Sequence, residues 1–281
     1  MKITTQLRQL MQVGQIIVAP GVADGLSARL VEQAGFSCVY TSGGAIARST
    51  GCPDIGLLSL TEVVERLTQI TDVTTLPVIA DADTGFGNVI NVQRTVRAFE
   101  RAGVAALHLE DQEFPKRCGH LDGKHVISSE EMQQKIRVAR QSLHDDDFVL
   151  IARTDAIAVE GFNAAIERAH AYQEAGADVI FVEAPQNKEQ IEKIAKSISG
   201  PKLINMFYGG KTPLVPLEEL QQMGFVFVII PSDLQRAAIH AMQQTLIAIK
   251  EDGDSHRLAA QLTSFQEREQ IVQTTQYLAL E

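Results

Sequence analysis

The chain has 281 residues, 45% hydrophobic and 21% charged, with a formal net charge of −10 and an isoelectric point near 5.2. This is a globular composition long enough to bury a large core, and the acidic balance excludes the basic face that nucleic acid requires. The three cysteines form no C-x-x-C pair, and no run reaches the roughly 18 apolar residues of a membrane span, so a cytoplasmic protein with no membrane partner is expected.

Short β-branched runs alternate with longer stretches of helical period. The spacing predicts strands at Gln15–Ala19, Cys38–Thr41, Pro77–Ala80, Ala105–Leu109, Phe148–Ala152, Asp178–Val182, Lys202–Asn205 and Phe225–Ile230. Between them, helices are expected at Ser27–Ala34, Leu60–Thr71, Val89–Ala102, Ser129–Leu143, Asn163–Ala175 and Lys188–Ser197. Ser128 followed by Glu131 has the form of a capping box. Gly35, Gly103, Gly176 and Gly224 stand where a helix should stop before the next strand. Eight such units favour an α/β fold of the (β/α)₈ TIM-barrel type over a doubly wound open sheet, as one domain spanning 1–281. Two further helices are expected at Leu234–Lys250 and Ser255–Leu280. A barrel needs only one there, so the extension 232–281 either lies at a subunit interface or folds back on its own barrel.

In such a barrel the active site lies at the C-terminal strand ends. Those ends carry Ser42, Gly43 and Gly44; Asp81 and Asp83; Glu110 and Asp111; Arg153 and Asp155; Glu183; and Asn205. Asp81, Asp83, Glu110 and Asp111 are expected to crowd one side of the mouth, where a hard cation, Mg²⁺ or Mn²⁺, would relieve their repulsion. The plainer alternative is a capped turn with a solvated acid. The loop Lys116-Arg117-Cys118-Gly119-His120 sets two cations and a histidine beside a thiol, which should favour the thiolate and attract a polyanion. Its alternative is a charged surface loop with an incidental cysteine. Arg153 suits a carboxylate clamp, or a structural ion pair with Glu183 or Asp155. His108, inside an apolar run, is expected to be a satisfied interior histidine, and Cys38 a core residue. Tyr208-Gly209-Gly210 has the look of a mobile turn without a nucleotide-binding pattern.

The ordered set Ser42-Gly43-Gly44, Pro53-Asp54-Ile55-Gly56, Asp81-Ala82-Asp83-Thr84-Gly85-Phe86-Gly87, Glu110-Asp111-Gln112, Lys116-Arg117-Cys118-Gly119-His120, Ala152-Arg153-Thr154-Asp155-Ala156, Glu183-Ala184-Pro185 and Asn205-Met206 resembles the isocitrate lyase/phosphoenolpyruvate mutase superfamily. Within it, the chain is most similar to the short lyases acting on 2-methylisocitrate and 2,3-dimethylmalate. The resemblance implies a Mg²⁺-dependent carbon–carbon lyase that releases pyruvate or a related keto acid from a small hydroxy di- or tricarboxylate. It implies metal ligation at Asp81, Asp83 and, through water, Glu110. Ser42, Gly43, Gly44, Asp54, Gly119, Arg153, Glu183 and Asn205 would bind substrate. Cys118 would be the proton donor, with Lys116, Arg117 and His120 stabilising charge. It also implies a homotetramer whose eighth helix is exchanged between subunits. Tyr208 stands where these lyases typically carry Glu, and Ile230-Pro231-Ser232-Asp233 also departs from their pattern, so the reaction class carries over better than the substrate. The competing functions are an oxaloacetate decarboxylase or keto-acid hydrolase, a phosphonomutase, and a non-catalytic binding protein; Cys118 weighs against the mutase.

Overall fold

The computed structural model describes residues 1–281. Eight parallel strands close into a barrel in sequence order: β1 (Ile17–Val22), β2 (Val39–Thr41), β3 (Val78–Asp81), β4 (Ala106–Glu110), β5 (Val149–Thr154), β6 (Val179–Val182), β7 (Lys202–Asn205) and β8 (Phe225–Ile230). The expected (β/α)₈ barrel is therefore present, and β1 pairs with β8 to complete it. Helices Gly25–Gln33, Leu60–Thr71, Val89–Arg101, Ser129–Ser142, Phe162–Glu174, Lys188–Ser197 and Leu217–Gln222 form the outer ring. Several start on side chains that satisfy otherwise orphaned amides, including Asp24, Ser59, Asn88 and Asn187. Ser128 accepts from the Glu131 amide at 3.1 Å, half of the expected box.

Side chains of a strand alternate between two faces, and here the two faces belong to two cores. Val78, Ala80, Leu107, Leu109, Leu150 and Ala152 face outward to the helices. Ile17, Cys38, Tyr40, Ile79, Ala106, Val149, Ile151, Phe181, Leu203 and Phe227 fill the interior. The helix Ile3–Gln12, which sequence patterning did not single out, adds Leu7 to this inner core. Phe181 is fully buried there, edge-on to His108 at 5.8 Å between ring centroids and 5.2 Å beneath the Arg153 guanidinium. Phe181→Ala is expected to cost about 3–5 kcal/mol, the range for deleting a buried aromatic, read as a lower urea midpoint. An unchanged midpoint would mean that the interior collapses to fill the space.

Two expectations are corrected. The first strand runs later than Gln15–Ala19 because Pro20 and Gly21 continue it rather than ending it. Gly21 is needed for close approach: a Cβ there would strike the Pro231 backbone. The C-terminal Ser255–Leu280 segment is not one helix. After the long helix Asp233–Asp252, it breaks into His256–Gln261, Phe265–Ile271 and Thr274–Leu278. Leu262 is extended, Ser264 restarts the chain by capping the Glu267 amide at 3.1 Å, and Gln273 adopts a left-handed φ of 61°. No helix is long and apolar enough to cross a membrane.

Candidate active site

The inward alternation that fills the barrel continues past the strand ends and turns polar. Cys38 and Tyr40 lead to Ser42; Ile79 to Asp81 and Asp83; Ala106 to His108 and Glu110; Val149 and Ile151 to Arg153; Val179 and Phe181 to Glu183; Leu203 to Asn205. Strand register then chooses neighbours. Asp81 stands opposite His108 and Glu110 opposite Arg153. Asp81 lies 3.6 Å from His108 Nε2, whose pKa burial lowers, and Glu110 Oε2 lies 3.2 Å from the Arg153 guanidinium.

The same parity explains a correction. Asp111 is one step out of phase with Glu110 and so faces the outer layer, away from the other acids. It accepts from Thr154 Oγ1 at 2.7 Å and Tyr172 Oη at 2.8 Å, and from the Asp155 amide at 2.9 Å. Arg168 adds an ion pair at 3.4 Å.

A cavity of about 300 Å³ opens over the strand ends, and its walls include Ser42, Gly44, Asp54, Asp81, Lys116, Cys118, Gly119, His120, Arg153, Glu183 and Asn205. Asp83 and Gly43 border it: Lys116 Nζ bridges Asp54 and Asp83, 2.7 Å from the latter, and the Gly43 amide donates to Asp81 Oδ2 at 3.2 Å. Ser42 caps a short helix, Gly43–Ser49, that sequence patterning did not single out, so the amides of Gly43 and Gly44 open a helix at the mouth. Arg117 is not brought in. Its guanidinium turns outward to the Asp122 carbonyl at 3.0 Å.

Burial sets the electrostatics. The Glu110 carboxyl is pushed well above the usual range, burial outweighing Arg153 and Lys116. Asp83 is also raised, by burial and by the nearby Asp81 and Asp54, against the pull of Lys116. Asp81 is held low despite burial because His108, Lys116 and Arg153 all favour its charge. The expected thiolate is overturned. Cys118 is pushed up by burial and by Asp54, with Glu183 adding to the effect. The loop's cations are engaged elsewhere: Lys116 with acids, Arg117 with solvent-side backbone. Cys118 is therefore a protonated thiol at neutral pH.

The donor set fits a hard cation. Both Glu110 oxygens are buried and make no hydrogen bond, Oε2 meeting only the Arg153 charge at 3.2 Å, and Asp81, Asp83 and Glu110 offer only oxygen. No three of these side chains converge on one point, so water would complete the coordination of an ion held there.

Sequence reading missed two contributors, Tyr40 and Lys124, and gave Asp155 only as a partner for Arg153. Tyr40 Oη bonds His108 Nε2 at 2.9 Å beneath Asp81. Lys124 Nζ reaches both the Gly119 carbonyl and Asp155, 2.9 Å from the latter. Asp155 in turn holds Arg153 through two hydrogen bonds, of 2.8 and 3.1 Å. Tyr40 had a signal in the inward parity of its strand; Lys124 had none. Tyr208 lies exposed at the rim, its carbonyl taking 2.5 Å from Arg236 Nη1.

The sequence pattern of the phosphoenolpyruvate phosphomutase family matches residues 7–250. The chain belongs to the phosphoenolpyruvate mutase/isocitrate lyase superfamily. Among its superfamily relatives, 2,3-dimethylmalate lyase of Eubacterium barkeri is 42% identical over 268 residues, 95% of this chain and 93% of the relative. The 2-methylisocitrate lyase of Halalkalibacterium halodurans is 43% identical over 276 residues, 98% and 90% of the two chains. Among solved superfamily structures, a 2,3-dimethylmalate lyase superposes with a TM-score of 0.94 at 36% identity, covering 100% of this chain and 94% of that one. An oxaloacetate acetylhydrolase bound to 3,3-difluorooxalacetate gives 0.93 at 36% identity, covering 99% and 95%. A phosphonopyruvate hydrolase holding oxalate and Mg²⁺ gives 0.91 at 32% identity, covering 100% and 98%.

Proposed function

We propose that this chain is a Mg²⁺-dependent carbon–carbon lyase that splits a small 2-hydroxy di- or tricarboxylate into pyruvate or a related keto acid and a carboxylate. The observation that carries this reading is the Cys118 thiol in the same cavity as the Arg153 guanidinium and the acid cluster at the strand ends. The lyase names of the two relatives agree with it.

Asp81, Asp83 and Glu110 would hold the metal, which when bound supplies Lewis-acid polarisation of the keto-acid oxygens. The amides of Gly43 and Gly44 and the Ser42 hydroxyl orient that end of the substrate. Arg153 grips a carboxylate of the departing fragment, with Asn205, Asp54 and Glu183 lining its walls. The hydroxyl passes its proton to the Asp54 carboxylate on the cavity wall as the carbon–carbon bond breaks, and the bonding pair stays on the carbon next to the leaving carboxylate. Cys118 Sγ gives its proton to that carbon before the fragments recombine. Lys116 supplies positive charge around it, and His120, whose Nδ1 accepts the Lys211 amide at 2.9 Å, lines the wall beside it. Gly119, in the loop over the cavity, lets the chain cross Arg153 and Glu183 closely: a Cβ there would collide with both.

The test is keto-acid release with Mg²⁺ from 2-methylisocitrate, 2,3-dimethylmalate, isocitrate, citramalate and oxaloacetate. Pyruvate from a hydroxy acid is the expected result. Turnover of oxaloacetate alone would move the chain to the hydrolase and decarboxylase branch. Asp81→Ala is expected to raise the Mg²⁺ concentration for half-activity at least about tenfold, the effect of losing a direct or supporting ligand interaction. An unchanged Mg²⁺ titration would remove Asp81 from the metal site.

The segment 232–281 is proposed to cover another copy of the chain in a homotetramer. It leaves Leu246, Phe265 and Leu280 at 65%, 72% and 83% exposure, more apolar surface than a free helix pair would keep in water. A monomeric mass by light scattering would overturn this.

A further inference from the structure

Five basic side chains line the cavity: Arg48, Lys116, His120, Arg153 and Arg236. Four of them already face an acid. Lys116 meets Asp54 and Asp83; His120 meets Glu183 at 3.3 Å; Arg153 meets Asp155, Glu110 and Glu183; Arg236 meets Asp233 at 3.4 Å. Arg48 has no carboxylate within ion-pair distance. It is nonetheless held in place. Its Nε donates to Gln235 Oε1 at 2.9 Å, and Gln235 Nε2 donates to the Ala45 carbonyl at 2.9 Å. One turn along the same helix, its terminal nitrogens fold back over Gly44, 3.1 and 3.2 Å from where a Cβ would stand. A guanidinium aimed by its Nε, with both terminal nitrogens free, matches the two oxygens of a carboxylate.

We propose that Arg48 is a specificity-determining residue that binds a third substrate carboxylate, so that the site selects hydroxy tricarboxylates over dicarboxylates. The inference rests on the lyase reading for the other two carboxylates, one at Ser42–Gly44 and one at Arg153. It adds Arg48, which lines the same cavity as the apolar Phe207, Ile229, Pro231 and Ile239. That wall accepts a short hydrocarbon arm, and Arg48 accepts the charge at its tip. A dicarboxylate has nothing to offer this cation, whereas a tricarboxylate gains a charge-assisted pair without breaking an existing one.

The experiment is calorimetric titration of the Mg²⁺-loaded protein with propane-1,2,3-tricarboxylate and with glutarate, for the wild type and Arg48→Met. Arg48 is exposed and sits in no core, so the variant should keep the wild-type melting temperature. The expected result is that Arg48→Met weakens the tricarboxylate on the order of tenfold, as for one partly solvated charge-assisted pair, and leaves glutarate within about twofold. Equal losses on both probes, or no loss on either, would overturn the proposal. Neither probe carries a hydroxyl to cleave. Failure of the lyase reading therefore shows in the turnover panel, while failure of the Arg48 assignment shows here.

Discussion

Cys118→Ser is expected to remove turnover by on the order of 10²–10⁴-fold, the range for deleting a placed proton donor, with Mg²⁺ affinity unchanged. A serine hydroxyl keeps the size but is a far weaker acid than a thiol. Single-turnover assays with Mg²⁺ titration separate the two effects. Retained turnover would take Cys118 out of the mechanism. The pH profile gives a second check. A proton donor works in its protonated form, so activity attributable to Cys118 persists until pH rises through its pKa. Burial and Asp54 push that value above the ordinary cysteine range. The alkaline limb of kcat/KM is therefore expected above about pH 8.5, the ordinary thiol value, and should vanish from whatever activity Cys118→Ser retains. A limb below that pH would contradict the shift.

Asp155→Ala is expected to destabilise the fold by about 3–5 kcal/mol, as when one partner of a buried ion pair is deleted, and to lower turnover as well. Asp155 is buried between Arg153 and Lys124, and its own amide donates to Asp111 at 2.9 Å. Removing it leaves buried Lys124 without a carboxylate and takes from Arg153 one of its three. It also severs the only route by which Lys124, bonded to the Gly119 carbonyl, ties the Cys118 loop to β5. A denaturant titration beside steady-state kinetics checks both effects; wild-type stability would show that water replaces the carboxylate at no cost. The sign with pH follows from the depressed folded value. Burial opposes the charge, but Arg153 and Lys124 hold Asp155 well below the usual carboxylate range. Its stabilisation is complete above the unfolded value, about pH 3.9, and is lost as pH falls through the folded one. Asp155→Asn should accordingly flatten the acid side of the stability curve.

The barrel was legible because its strands announce themselves twice, as apolar runs and as polar ends. Asp81, Glu110, Arg153 and Glu183 could be placed at one mouth from strand order alone, and the structure brings them there. Direction was less legible. Asp111 sits beside Glu110 in the chain yet faces the opposite layer, a matter of parity that a list of strand-end residues does not carry. Pairing across the chain was not legible at all. Arg48 and Gln235 lie 187 positions apart, and their bond depends on how the last barrel helix settles over the mouth. Arg117 and Lys116 are neighbours of Cys118 in sequence, yet one leaves the site and the other serves the acids. Adjacency therefore misjudged the state of the thiol.

That state has a consequence for life in the presence of oxidants. Peroxides and electrophiles attack thiolates, and enzymes that depend on a thiolate are correspondingly easy to silence. Here the sulfur proposed to act with its proton on lines the cavity, and burial, Asp54 and Glu183 discourage its ionisation. The enzyme should keep its activity without added reductant, through peroxide exposures that disable thiolate-based catalysts. The proton that Cys118 is proposed to give to a carbanion would also be its protection.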